Sequence, residues 1–196
     1  MSGARPLIWL VTAAAAGAGM AYASHHHHAA AGTAALSAYV SPLAGGQWQD
    51  ARTDQGVDYH PVVPEPVRAI GAGVVVYSST ADCLPHGWPG CAVIGYRLTA
   101  GPAKGAVVYV AEHLTGLLPD GAAVKAGATL ATALPGYPWI EMGWADCTGN
   151  APAVRYGGHA DGTPMAGGLA FARLLRQLGV STAMNPGSGP DVVRSC

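Results

Sequence analysis

The stretches of sequence that decide the fold are Asp54-Gln55-Gly56-Val57-Asp58, Tyr109-Val110-Ala111-Glu112-His113-Leu114 and Tyr137-Pro138-Trp139-Ile140-Glu141. They set acidic, histidine or aromatic side chains among apolar residues in the middle of a 196-residue chain. The residues between them form short runs rich in Val, Ile and Tyr, which favour β-strands. We therefore expect the three stretches to lie on strands of one β domain, where their polar side chains can meet.

Residues 47–146 show the short apolar runs and turns that are typical of an all-β domain. The 28 Gly and 15 Pro of the chain indicate many turns. The pattern predicts a mainly β fold, a small antiparallel β-sandwich or barrel-sandwich hybrid. The expected strands are 67–70, 73–78, 92–99, 106–112, two strands around the glycine within 124–131, and 137–144.

Taken in order, the three stretches resemble the ligand and catalytic strands of the lysostaphin-type (LytM-like) zinc endopeptidases, which cut peptidoglycan cross-links. The family pattern is H-x-G-x-D, then a Tyr shortly before H-L, then H-x-H-x-E. At the six histidine, aspartate and glutamate positions of this pattern, the chain matches three and departs from three. Asp58, His113 and Glu141 match, whereas Asp54, Tyr137 and Trp139 stand where histidines belong. The resemblance covers about residues 50–145.

The resemblance implies a degenerate metal site. Asp58 matches the aspartate ligand of the family, and Asp54 and Trp139 occupy the positions of its two histidine ligands. His113 matches one catalytic histidine, and Tyr137 replaces the other. A tryptophan cannot ligate a metal, and a phenol is a poor base near pH 7. The resemblance therefore implies a scaffold that has lost most of its hydrolytic chemistry.

Two substitutes for the missing ligands are open. Glu141 could join the two aspartates, and three carboxylates without histidine suit Ca²⁺ better than zinc. Without a cation they would repel one another, and at least one pKa should rise. His60 lies two residues after Asp58 and would share its face on a strand; it either replaces a lost ligand or packs beside Pro61. We expect no cofactor, with zinc or calcium as the alternatives.

The N-terminus predicts export. Residues 1–23 combine Arg5, an apolar run over 7–19 and Ala21-Tyr22-Ala23, which favours a cleaved signal peptide. The alternative is a membrane anchor, since the 17 residues 7–23 are uncharged. Residues 24–46, which include four consecutive histidines, are expected to be a low-complexity linker.

Four cysteines in an exported chain indicate disulfides. Their spacing favours the pairs Cys83–Cys91 and Cys147–Cys196. Residues 147–196 are expected to be a C-terminal extension with a helix over 166–178, ended by Gly179, and a tail tethered by the second disulfide. The formal net charge of −1 gives no basic excess for nucleic-acid binding.

The sequence therefore predicts an exported, catalytically inactive LytM-like domain that binds peptidoglycan or regulates a cell-wall enzyme. Contact with a membrane is expected only through an uncleaved N-terminal segment. The resemblance implies a groove at the position of the family's active site. Five aromatic residues are candidates for lining it and stacking on sugar rings: Tyr59, Tyr109, Tyr137, Trp139 and Trp144. One alternative function is an active metalloendopeptidase with altered ligands. Another is a disulfide-stabilised surface protein that binds only protein partners.

Overall fold

The computed structural model describes residues 36–83, 88–146 and 162–183. Within these ranges the chain forms ten strands and a C-terminal helix. The strands are β1 (Trp48–Thr53), β2 (Val57–Pro61), β3 (Glu65–Arg68), β4 (Gly73–Ser79), β5 (Ala92–Leu98), β6 (Val107–Glu112), β7 (Leu114–Thr115), β8 (Ala123–Val124), β9 (Thr129–Ala133) and β10 (Ile140–Ala145). The helix, α1, spans Ala166–Gln177. The mainly β prediction is confirmed.

The strands form two antiparallel sheets. The larger has seven strands in the order β1-β2-β10-β6-β5-β4-β8, and the smaller has three in the order β3-β9-β7. Strand β10 comes last in the chain but pairs between β2 and β6. This insertion places the three sequence stretches on neighbouring strands and so determines where the candidate site forms.

Apolar residues of both sheets and of α1 make one large core cluster. Phe171 of α1 is fully buried and meets Trp144 of β10 edge-on, with ring centroids 5.2 Å apart. A second, smaller cluster gathers Trp88, Val93, Val107, Tyr109, Ala111 and Ala145. The central strands β6 and β10 are buried along their whole length because both faces of the large sheet are covered.

The structure differs from the expected boundaries at two strands. The last strand begins at Ile140 rather than at Tyr137, since Pro138 has no amide hydrogen to give to a sheet. Strand β3 spans Glu65–Arg68, two residues earlier than expected, and pairs with β9. The other expected strands agree with the observed ones to within about two residues, the usual uncertainty of strand ends.

The described end of the expected linker is part of the folded domain. Tyr39 and Leu43 are 5% and 7% exposed and belong to the large core cluster. The hydroxyl of Tyr39 accepts a hydrogen bond of 2.8 Å from the amide of Ala103. Residues 36–46 therefore pack against the β domain. The expected signal or anchor and the histidine run lie outside the described residues.

The disulfide between Cys83 and Cys91 is present, which confirms that pair. Cys147 and Cys196 lie outside the described residues, so their expected pairing stays a prediction. The predicted helix is also confirmed: α1 buries Phe171 and Leu175, and Gly179 follows it with φ 78°. In the part of the chain that the structure describes, no helix has the length and apolar character needed to cross a bilayer.

Candidate functional site

Three acidic side chains from separate segments meet near one edge of the large sheet. Asp54 lies in the turn between β1 and β2, Asp58 lies on β2, and Glu141 lies on β10 directly opposite Asp58. One oxygen of each lies within 4.8 Å of the others. All three are buried, with exposed fractions of 6%, 2% and 2%. These residues are called the carboxylate cluster below.

Arg52 supplies a positive charge to the carboxylate cluster. Its Nε atom lies 3.3 Å from Asp54 Oδ2 and forms a second ion pair with Asp58 Oδ2. Its guanidinium carbon is also 5.8 Å from the centre of the Trp139 ring, within the range of a cation–π contact. The arginine side chain is 31% exposed, so solvent reaches it while the carboxylates stay covered.

The sequence analysis missed Arg52. The pairing register of β1 with β2 shifts between Asp50 and Thr53, and such irregularities redirect side chains that simple alternation would place elsewhere. One signal was available: buried carboxylates require a cationic or hydrogen-bonding partner. Arg52, two residues before Asp54, is the nearest basic residue in the sequence.

Glu141 is held by Tyr109 of β6. The tyrosine hydroxyl donates a hydrogen bond to Glu141 Oε1. Burial, followed by the charges of Asp58 and Asp54, raises the pKa of Glu141 well above its usual range. Burial and the charge of Glu141 likewise raise the pKa of Tyr109. The raised carboxyl pKa expected within the cluster therefore falls on Glu141.

The packing around Tyr109 leaves little free space. A Cβ on Gly56 would collide with the Tyr109 hydroxyl and lie 2.6 Å from the carbonyl oxygen of Met142. A Cβ on Gly143 would lie 2.8 Å from the Tyr109 ring. Trp88 covers the tyrosine, with ring centroids 5.3 Å apart. The glycine of the D-x-G-x-D segment is therefore required by close packing at the bottom of the site.

Asp54 also binds the segment that leads into α1. Its Oδ2 atom accepts a hydrogen bond of 3.2 Å from the amide of Gly162, and its carbonyl oxygen accepts one of 2.9 Å from the amide of Met165. Within its own turn, Asp54 Oδ1 accepts a hydrogen bond from Gly56. The position that carries a histidine ligand in the family pattern thus serves as an acceptor for main-chain amides here.

The aromatic replacements lie at the surface beside the carboxylate cluster. Trp139 is half-buried and stacks on His60 with ring centroids 5.8 Å apart. Tyr137 meets Trp139 edge-on at 6.1 Å and is 74% exposed. Both precede β10, although the sequence analysis expected the last strand to begin at Tyr137, so they lie outside the strand that carries Glu141. His60 stacks on an aromatic ring, and the group of candidate metal ligands among the described residues does not include it.

His113 lies at the end of β6, next to the loop that carries Tyr137. Its carbonyl oxygen accepts a hydrogen bond from Leu134, and a Cβ on Gly136 would lie 3.9 Å from its ring. The preceding residue, Glu112, has φ 84°, a left-handed conformation that costs a non-glycine residue free energy. The candidate ligand group of the described residues does not include His113.

The remaining candidate aromatic residues are structural. Tyr59, Tyr109 and Trp144 are at most 8% exposed and belong to the two core clusters. Tyr59 donates a hydrogen bond of 2.7 Å to the carbonyl of Ser181, which follows α1. Of the five aromatic residues considered for sugar stacking, Tyr137 and Trp139 therefore remain as surface groups.

These residues do not fit zinc. Structural and catalytic zinc sites rely on histidine or cysteine ligands, and the carboxylate cluster offers neither. Arg52 already pairs with both Asp54 and Asp58, and its guanidinium would repel a divalent cation placed beside it. Calcium fits little better, since it takes six to eight oxygens and often water. Asp54 and Glu141 are instead engaged by amides and by Tyr109.

No family profile matches the sequence, and neither does any curated protein. Solved structures do match. They include the solution structure of lysostaphin, at 16% identity and a TM-score of 0.49, with 82% of this chain and 60% of that chain covered. A protein assigned to peptidase M23 from Pseudomonas aeruginosa matches at 18% identity and a TM-score of 0.40, with coverages of 62% and 54%.

A second lysostaphin structure, the antimicrobial peptidase from Staphylococcus simulans, matches at 17% identity and a TM-score of 0.42. The match covers 66% of this chain and 60% of that one. The chain thus spans 54–60% of the length of these structures. At such identities and TM-scores the matches transfer no residue role, and the chemistry of this chain follows from its own side chains.

Proposed function

We propose that the chain is an exported, non-catalytic LytM-like module that binds peptidoglycan. The observation that supports this most is the position of Arg52 between Asp54 and Asp58. Peptide hydrolysis at neutral pH by this class of site needs a metal that lowers the pKa of a bound water. A guanidinium ion neutralises carboxylates but presents no water-binding coordination position, so it cannot take over this role.

The catalytic positions support the same proposal. Tyr137 replaces one of the two catalytic histidines of the family pattern, and its ring is turned to solvent. His113 remains, but losing a general acid–base partner alone typically costs about 10²- to 10⁴-fold in rate. Loss of the metal-activated water adds to that cost. We therefore expect the domain not to cleave peptidoglycan cross-links.

Tyr137 and Trp139 are the proposed contact surface for the polymer. Exposed aromatic rings stack on the apolar faces of sugars, and their few rotatable bonds keep the entropic cost of binding low. Trp139 is fixed by the His60 ring and by the Arg52 guanidinium, so the surface is organised before any ligand arrives. Tyr137 presents the most exposed large apolar side chain among the described residues.

The test is co-sedimentation of the purified chain with insoluble peptidoglycan, with and without zinc. The chain is expected to sediment with the polymer and to release no soluble fragments. Tyr137→Ala should weaken sedimentation, whereas Val40→Ala, at a position 38% exposed, serves as the matched surface control. Zinc-dependent release of fragments, abolished by a chelator, would establish an active endopeptidase instead. Absence of any sedimentation would favour a surface protein with protein partners only.

A further inference from the structure

The carboxylate cluster has a structural connection that polymer binding does not use. It joins the first hairpin, β1–β2, to the segment that leads into α1. Asp54 is engaged from two directions, by Arg52 on the side of β1 and by the amides of Gly162 and Met165 on the other. A Cβ on Gly168 would collide with the carbonyl oxygen of Asp54, so the helix itself lies against this turn.

We propose that the cluster is an ion-pair lock in which the chain's own Arg52 replaces a metal ion. Arg52 pairs with both Asp54 and Asp58, and Asp54, oriented by that pairing, holds residues 162–168 against the first hairpin. This assignment is independent of peptidoglycan binding, because it concerns contacts within the chain alone.

The physical basis is the cost of burying like charges together. Three carboxyl groups that share a space of 4.8 Å cannot all be ionised without a cation. The Arg52 guanidinium provides this cation. It stays protonated in proteins, and its planar shape suits carboxylate oxygens. Trp139 restrains the guanidinium from the surface side. Loss of Arg52 removes the cation that pairs with both Asp54 and Asp58, and the turn that carries Asp54 should then move away.

The hydrogen bonds to Asp54 give a direct readout of the lock. In the full chain, hydrogen exchange of the Gly162 and Met165 amides should accelerate about tenfold or more in Arg52→Met relative to the parent. The amide of Leu98, which donates to Ala106 within the core, serves as the internal reference for global unfolding. Lys104→Ala removes an exposed positive charge from the β5–β6 turn and should change none of the three amides.

A second variant keeps the test informative if Arg52→Met unfolds. Asp54→Asn retains a side-chain acceptor for Gly162 but loses the attraction to Arg52, so it should accelerate exchange at Gly162 with Leu98 unchanged. The parent chain, titrated with zinc chloride or calcium chloride alone, should show no saturable binding. Gly162 exchange that stays at the parent value in both variants would overturn the lock. Tight stoichiometric binding of either metal by the parent would overturn the claim that Arg52 replaces it.

Discussion

Tyr109 donates its phenolic hydrogen to Glu141 in the interior of the large sheet, where the two residues are 0% and 2% exposed. The hydrogen bond favours the carboxylate form, but burial and the neighbouring aspartates outweigh it, and the pKa of Glu141 is raised. Folding therefore favours the protonated form of the Glu141 carboxyl, relative to the same carboxyl in the unfolded chain. That preference makes the free energy of unfolding depend on pH in a definite direction.

We expect the Glu141→Gln variant to lose less stability than the parent chain as the pH rises. A carboxyl with a raised folded pKa stabilises fully below its unfolded pKa, about 4.3, and this contribution is lost as pH rises through the folded value. Glutamine mimics the protonated form and does not titrate. The stability of the variant relative to the parent should therefore increase from pH 5 to pH 8.

Urea denaturation at pH 5 and pH 8 measures this difference. Val63→Ala, at a position 46% exposed, is the non-titrating control and should give the same small change at both pH values. A stability difference between Glu141→Gln and the parent that does not grow with pH would contradict the raised pKa.

Two adjacent glycines of α1 provide a matched pair for the packing of the helix on the Asp54 turn. A Cβ on Gly168 would collide with the carbonyl oxygen of Asp54, so Gly168→Ala should destabilise the chain by about 1–3 kcal/mol. A Cβ on Gly167 would lie 3.8 Å from the carbonyl oxygen of Gln55, an ordinary contact. Gly167→Ala should therefore stabilise by about 0.5–1 kcal/mol through helix propensity.

Thermal unfolding of the two variants under identical conditions distinguishes these effects. Opposite signs of the change in Tm are expected. Equal changes for the two positions would mean that α1 does not contact the Asp54 turn in solution.

The family histidines should not restore zinc binding while Arg52 is present. The triple change Asp54→His, Tyr137→His and Trp139→His supplies imidazole ligands but leaves a guanidinium beside Asp58. Addition of Arg52→Ala removes the repulsion between two cations and should raise zinc affinity by about tenfold or more. Competition with a fluorescent zinc chelator measures both variants, with circular dichroism as the check of folding. Equal affinities would show that Arg52 does not exclude the metal.

Removal of the Cys83–Cys91 disulfide should lower stability and loosen one side of the site. The chain-entropy relation gives about 2.5 kcal/mol for a loop of this length. Within the disulfide loop, Trp88 packs on Tyr109, so Cys83→Ala with Cys91→Ala should increase the accessibility of that indole. Urea denaturation gives the stability, and acrylamide quenching of the parent and of the double variant, each compared with the same chain carrying Trp88→Phe, isolates the signal of Trp88. Unchanged quenching of Trp88 would contradict the prediction that the disulfide holds Trp88 against Tyr109.

The sequence predicted the β domain, the helix and one disulfide because these depend on local patterns. Short apolar runs between glycines and prolines define strands such as β5, and the spacing of Phe171 and Leu175 defines α1. The sequence left open whether Glu141 joins Asp54 and Asp58, and the pairing of β10 with β2 places it opposite Asp58. Contacts between residues that are far apart in the sequence leave no such local pattern. Gly162 binds Asp54 across 108 positions, and the register shift in β1 that accompanies the Arg52 pairing is invisible in the sequence.

The double engagement of Asp54, by Arg52 and by Gly162, has a consequence for the history of the chain. A histidine at position 54 would forfeit both contacts at once, so a chain with that single change should fold poorly. Selection for folding alone is then enough to preserve the acidic residue at position 54 and the basic residue at position 52. Descendants of this sequence should therefore keep the acidic and the basic residue together or change both positions together.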